Sequence, residues 1–127
     1  MKAAELAGVR EFRLVDQPLP DPGPGEVQVQ VAAVGICGSD VHNFTEGGIG
    51  DSPCKFPMVL GHEPSGVVLK TGPGVSGLTL GDHFALEPAI ACGHCELCHA
   101  GKENLCYDMQ FMSSGGVPGF FRERVNM

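Results

Sequence analysis

The sequence contains no tryptophan and only one tyrosine, and charged residues of both signs are scarce. Lysine and arginine number 8 against 15 aspartates and glutamates, which gives a formal net charge of −7. Because the basic residues are scattered singly, no basic stripe could follow a nucleic-acid backbone, and no nucleic-acid partner is expected. No apolar run approaches the roughly 20 residues that cross a bilayer, so no membrane segment is expected. The first residues also lack the apolar stretch of a secretory signal, and we expect a cytoplasmic protein.

The composition predicts one compact domain built mainly from strands. The 127 residues are enough for a single core, and we treat residues 1–127 as one domain. The 19 glycines and 10 prolines require frequent turns. Strands are predicted for residues 2–6, 11–16, 26–34, 66–70, 79–86 and 121–125. Many short strands of this kind indicate a small, partly open β-barrel.

The strand at residues 26–34 carries the clearest period. Valines at positions 27, 29 and 31 alternate with Glu26, Gln28 and Gln30, which predicts one buried and one exposed face. This strand runs into residues 35–42, where Ser39 or Asp40 could cap a short helix that carries His42.

Residues 72–77 match G-x-G-x-x-G, the glycine pattern of dinucleotide-binding folds. In such folds a helix begins at the pattern and directs its N-terminus toward the pyrophosphate. Here Leu78-Thr79-Leu80-Gly81-Asp82 follows, with no helical period. We therefore predict a turn between strands and no dinucleotide site.

Four cysteines recur at the spacing C-x2-C-x2-C-x7-C: Cys92, Cys95, Cys98 and Cys106. Four thiolates within one short loop suit a tetrahedral zinc ion without an open position, which is a structural site. A short helical turn is predicted over residues 95–100, ended by Gly101. His94 and His99 fall off the ligand spacing and are expected to be exposed loop residues.

A second group of candidate ligands and proton carriers precedes this loop: Cys37, Ser39, Asp40, His42, His62 and Glu63. Cys37, His62 and Glu63 offer the three protein ligands that a catalytic zinc requires beside an exchangeable position. A single cysteine is nevertheless more often a small buried hydrophobe, and a single histidine is more often an ordinary core or surface residue. The residue types alone leave both interpretations open.

The combination of motifs resembles one family over essentially the whole chain. Residues 35–42 match G-x-C-G-[ST]-D-x-H, residues 61–66 match G-H-E-x-x-G, Gly81-Asp82 follows, and residues 92–106 complete the series. This order is similar to that of the N-terminal GroES-like catalytic domain of the zinc-dependent medium-chain dehydrogenases. Residues 44–50 and 57–63, with Glu87-Pro88, look like the sorbitol and xylitol dehydrogenase branch.

The resemblance implies a role for each candidate. Cys37, His62 and Glu63 would hold a catalytic zinc, and Asp40 would accept a hydrogen bond from His62. Ser39 would lie beside the substrate hydroxyl, and His42 would contact the cofactor ribose and pass the proton to solvent. The zinc would lower the pKa of a bound alcohol, so that the alkoxide gives a hydride to the nicotinamide. Phe44 and Phe111 would line the substrate cleft or pack as core aromatics.

The implied parent enzyme oxidises a primary or secondary alcohol or polyol to a carbonyl with NAD or NADP. The resemblance also implies a Rossmann cofactor domain after residue 127 and a homodimeric or homotetrameric enzyme, so the chain alone is expected to be inactive. In the family an arginine usually follows Gly-Asp, whereas this chain has His83, which is not expected to be a ligand. Cys54 is expected to be a partly exposed free thiol. The alternative is a GroES-like zinc-binding interaction module without redox chemistry.

Overall fold

The computed structural model describes residues 1–127 and consists mainly of short strands, as the composition predicts. Eleven strands are present: β1 (Lys2–Gly8), β2 (Glu11–Asp16), β3 (Val27–Gly35), β4 (Gly48–Ile49), β5 (Ser52–Pro53), β6 (Met58–Val59), β7 (Glu63–Thr71), β8 (His83–Ala85), β9 (Ala89–Ile90), β10 (Gln110–Phe111) and β11 (Arg124–Asn126). The helices are α1 (Gly38–Glu46), α2 (Glu96–His99) and a single 3-10 turn (Glu103–Leu105).

The strands form antiparallel sheets that wrap around a common core. The largest sheet has the order β11-β3-β7-β8, and a three-stranded sheet has the order β2-β1-β6. Two further pairs, β4–β5 and β9–β10, are short hairpin-like additions. The prediction of a mainly-β architecture is confirmed.

The core is centred on Phe120, which is fully buried against Val29 and Val125. A second, smaller cluster joins Leu6 and Leu60 beneath the three-stranded sheet. Main-chain hydrogen bonds connect the two clusters. The N–H groups of Phe120 and Phe121 donate to the carbonyls of residues 61 and 60, respectively. The connection at residues 60–62, between β6 and β7, is therefore fixed by backbone hydrogen bonds as well as by packing.

The predicted alternation of β3 is wrong at Gln28, which is buried together with its valine neighbours. The side-chain amide of Gln28 donates to the carbonyl of Pro20 and to the side-chain oxygen of Asn126, each at 3.3 Å. The proline-rich connector therefore covers the face of β3 that was expected to meet solvent. The connector and β11 each supply one acceptor for the buried amide.

Two predicted strands are shorter than expected. In the segment 79–86 only His83–Ala85 is a strand, because Gly81 has a φ of +90° and the N–H of Thr79 donates to the Asp82 carboxylate. In the segment 121–125 the ladder begins at Arg124, and Arg122 forms only an isolated bridge with Ala3.

The segment 72–77 is a turn, and no helix begins there. This confirms the predicted turn between strands. None of the helices is long and apolar enough to span a membrane.

We predict that Phe120→Ala lowers the free energy of unfolding by about 3–5 kcal/mol, because it empties the centre of the main core. The change is measured by urea unfolding with zinc in excess. Leu14→Ala serves as the control, because the Leu14 side chain is 79% exposed and its loss should cost less than about 0.5 kcal/mol. Equal costs for the two variants would contradict the assignment of the core.

Candidate functional site

The four cysteines of residues 92–106 converge on one point. Their sulfur atoms all lie within 4.8 Å of one another, and none forms a disulfide. The Sγ of Cys98 lies 3.4 Å from that of Cys95 and 3.9 Å from that of Cys92. Thiolates bound at about 2.3 Å around a tetrahedral zinc ion are about 3.8 Å apart, so the four sulfurs fit this metal.

Local backbone geometry explains how one loop gathers these sulfurs. Cys95 caps α2, which brings Cys98 back toward the centre, and the N–H of Cys92 donates to the Sγ of Cys106 at 3.2 Å. Glu96 then accepts a hydrogen bond from the Tyr107 hydroxyl at 2.7 Å and joins the two limbs of the loop. His94 and His99 are exposed.

The thiols of this cluster differ in acidity. A hydrogen bond from the backbone N–H of Cys98 lowers the pKa of Cys95 to about 6. Burial raises the pKa of Cys98 to about 12. At neutral pH the metal-free loop therefore holds a thiolate at Cys95 and a proton on Cys98, and a divalent cation must displace that proton.

A second cluster is formed by Cys37, His62 and Glu63, whose ligand atoms also lie within 4.8 Å of one another. The set of one thiolate, one imidazole and one carboxylate fits zinc with an open position. Cys37 lies just after the end of β3, and Glu63 is the first residue of β7.

The β3–β7 ladder explains why residues so far apart in the sequence meet. Glu63 pairs directly with Gly35, two residues before Cys37. A Cβ atom on Gly35 would overlap the Glu63 side chain, and a Cβ on Gly61 would press on the ring of Phe121. Gly61 also has a φ of +90°. Gly35 therefore leaves the space in which the Glu63 carboxylate lies, and Gly61 allows Phe121 to pack against the backbone beside His62.

Asp40 links the two segments that carry the cluster. Its carboxylate is buried and accepts hydrogen bonds from the N–H of Cys37 at 3.0 Å and the N–H of Gly61 at 3.2 Å. The Nδ1 atom of His62 lies 3.7 Å from Oδ1 of Asp40, which is close but too far for a direct hydrogen bond.

The start of α1 differs from the prediction. Cys37 is the N-cap residue, and Asp40 is the third residue of the helix in a capping-box arrangement. Neither Ser39 nor Asp40 occupies the cap position itself. The same carboxylate thus begins the helix and fixes the backbone of a candidate ligand.

A cavity of about 540 Å³ lies beside His62. Ser39 and Phe111 line it, and the Phe111 ring lies 5.7 Å from the imidazole of His62. Phe44 does not line it and instead stacks on Phe12 at 5.6 Å. His42 lies on the exposed side of α1, where its Nδ1 atom is 2.8 Å from a carboxylate oxygen of Glu46.

Two buried polar residues of the cavity lining were not among the sequence candidates: Asn43 and Ser113. Asn43 could have been found from its spacing, because it lies four residues after Ser39 on the same helix face. Ser113 lies in a glycine-containing segment for which the sequence offered no signal. Cys54 also lines the cavity as a half-buried free thiol, and His83 is exposed and belongs to neither cluster.

Comparisons with known proteins agree with this geometry. The family profile of the alcohol dehydrogenase GroES-like domain matches residues 23–127. Sorbitol dehydrogenase of Bacillus subtilis (strain 168) is 42% identical over 127 residues, which are 100% of this chain and 36% of that protein. "Probable D-xylulose reductase A" of Aspergillus terreus is 49% identical over 115 residues, which are 90% of this chain and 33% of that protein.

A solved structure gives the same result for the fold. Galactitol-1-phosphate dehydrogenase from Escherichia coli superposes with a TM-score of 0.87 at 30% identity, covering 100% of this chain and 36% of that one. The chain spans about a third of the length of the curated relatives that it matches. It belongs to the zinc-dependent medium-chain alcohol and polyol dehydrogenases, in which it corresponds to the GroES-like domain.

Proposed function

We propose that these residues form the zinc-binding catalytic domain of an NAD- or NADP-dependent alcohol or polyol dehydrogenase. The observation that carries the proposal is the convergence of Cys37, His62 and Glu63 beside a cavity large enough for a small alcohol. Cys92, Cys95, Cys98 and Cys106 would hold a second, structural zinc.

At the three-residue cluster a bound zinc ion would supply Lewis acidity toward a substrate oxygen. The cavity wall would orient the substrate, and the ring of Phe111 would limit the access of water to His62. Ser39 would accept the hydroxyl proton while it passes its own proton on toward the cofactor ribose. His42 is one helical turn further along with a 56% exposed side chain, and it could release a proton to solvent.

His42 would contact the ribose of a nicotinamide cofactor, which would supply hydride-accepting chemistry when bound. Since the chain spans about a third of its relatives' length, we propose that it acts with a nucleotide-binding Rossmann domain and is inactive alone. A homodimeric or homotetrameric cytoplasmic enzyme would be consistent with the family. Substrate and oligomeric state are properties of the whole enzyme.

Zinc content tests the proposal directly. We expect two zinc ions per chain in the wild-type protein and one in Cys37→Ser, measured by elemental analysis after dialysis. Cys54→Ser is the matched control, because Cys54 lines the same cavity but is not one of the clustered ligands. One zinc ion in the wild-type chain, unchanged by Cys37→Ser, would contradict a catalytic metal site made by this domain.

The positioning role of Asp40 leads to a second expectation. In Asp40→Asn the side chain keeps one acceptor oxygen, so the N–H of Cys37 or of Gly61 loses its partner, at a cost of about 1–3 kcal/mol. Zinc affinity at the three-residue cluster should fall about 10- to 100-fold. Competition with a chelator measures this affinity. An equal loss at the four-cysteine cluster would indicate general unfolding instead.

The acidity of the four-cysteine loop predicts how zinc release depends on pH. Protons compete with zinc for the thiolates, so affinity falls as the pH falls. Below a pH of about 6 the metal-free loop also binds a proton at Cys95, so zinc must displace one more proton than it does at neutral pH. In Cys37→Ser, which isolates this site, the slope of log affinity against pH should therefore steepen by about one below that point. A chromogenic chelator reports the released zinc, and a constant slope from pH 5 to 8 would exclude a low-pKa cysteine.

A further inference from the structure

The last turn of α1 carries a carboxylate at a position that helices disfavour. Glu46 is the final residue of α1, and Gly47 ends the helix with a φ of +79°. The partial negative charge at a helix C-terminus attracts cations and repels carboxylates. No basic residue lies in this turn to offset Glu46. The position of Glu46 therefore works against helix stability, and a residue that breaks a local rule in this way points to a role outside the helix itself.

The Glu46 carboxylate contacts one side chain. One of its oxygens lies 2.8 Å from Nδ1 of His42, four residues earlier on the same helix. A glutamate stabilises a helix best when it precedes its cationic partner by four residues, and here it follows. The side chains of His42 and Glu46 are 56% and 63% exposed, so their ion pair adds little to the stability of the fold. What the contact changes is the imidazole ring.

The contact decides which ring nitrogen of His42 carries the proton. An ionised carboxylate can only accept a hydrogen bond, so Nδ1 must be the donor. The neutral ring then keeps its lone pair on Nε2, which makes no hydrogen bond within the chain. Nε2 is therefore the ring atom that is free to take up a proton.

The backbone holds the carboxylate in place for this contact. The N–H of Gly47 donates to the carbonyl of Asn43 at 3.1 Å, and the N–H of Arg10 donates to the carbonyl of Phe44 at 2.7 Å. A Cβ atom on Gly47 would come within 2.9 Å of the Val9 side chain, so the end of α1 lies directly on the turn between β1 and β2. The last turn of the helix is thus fixed both by its own cap and by a neighbouring segment.

We propose that Glu46 is a positioning residue that makes His42 a proton acceptor through Nε2. The inference rests on the proposed function, in which His42 releases a proton to solvent. In that step Nε2 takes up the arriving proton, and the ring becomes an imidazolium whose Nδ1–H remains on the Glu46 carboxylate. Nε2 then gives the same proton to water, which restores the starting tautomer. With the opposite tautomer Nε2 would already be protonated, and the ring could not accept a proton there.

NMR of the zinc-loaded 127-residue chain tests the proposal, because the ¹⁵N shifts of the two ring nitrogens distinguish the tautomers. At a pH of about 8.5 a histidine ring is neutral, and we expect the Nδ1–H form of His42 to predominate. In Glu46→Ala the ratio of the Nδ1–H form to the Nε2–H form should fall about two- to fivefold. It should also fall in Glu46→Gln, because the amide can donate to Nδ1 as well as accept from it. The signals of His42 are identified by their absence from His42→Gln.

Asp51→Asn is the matched control. Asp51 lines the same shallow concavity as Glu46 but makes no ion pair with His42. The substitution removes one nearby negative charge and should leave the tautomer ratio unchanged. An equal fall in Asp51→Asn would show that the ratio follows the general electrostatic field. That result, or an unchanged ratio in Glu46→Ala, would overturn the proposal.

Urea unfolding separates a positioning role from a structural one. Because Glu46 opposes the helix, Glu46→Ala should unfold at the same urea concentration as the wild type or at a higher one. A lower midpoint would show that the carboxylate stabilises the fold, and it would contradict the proposed role.

Zinc content of the same samples separates this inference from the function on which it rests. Two zinc ions per chain in every sample, with an unchanged tautomer ratio, would refute the role of Glu46 alone. One zinc ion in the wild-type chain would instead refute the proposed catalytic site, whatever the tautomer ratio.

Discussion

The candidate catalytic cluster depends on one carboxylate that is not among its ligands. Asp40 is buried and accepts hydrogen bonds from main-chain N–H groups at positions 37 and 61, which are otherwise distant in the chain. Charge-assisted hydrogen bonds of this kind are stronger than neutral ones, and a buried N–H without a partner is costly. The two segments are therefore held at a fixed separation before any metal binds. This is the preorganisation that a three-ligand site with an open position requires.

Strand register provides the second constraint. Because Gly35 pairs with Glu63, the end of β3 and the start of β7 face each other, and the absence of a side chain at position 35 leaves room for the carboxylate. A shift of the ladder by one residue would turn Glu63 to the opposite face of the sheet. Core packing of Val29 and Phe120 stabilises this register from below. The chemistry of the cluster thus depends on packing some distance from it.

Much of this arrangement could be predicted from the sequence, but only where the signal is local. The four cysteines lie within one loop, and the strand at Glu11–Asp16 is bounded as expected. Gln28 was expected to be exposed because one of its partners, Asn126, is 98 residues away, and no local pattern shows that the connector folds back over β3. Asn43 and Ser113 were missed for a related reason. They line one cavity only after α1 and the turn beyond β10 have come together.

The four-cysteine loop leaves the barrel at β9 and returns at β10, and Ala89 pairs directly with Phe111. In topological terms this lobe, residues 91–109 between β9 and β10, is the tip of a hairpin. Its two ends are adjacent, so neither its length nor its internal ligand set affects the connectivity of the remaining strands. Insertions and deletions at such a tip are tolerated far better than changes within a ladder. The lobe can therefore diverge, shorten or be lost during evolution while the barrel and the cluster at its β3–β7 edge persist.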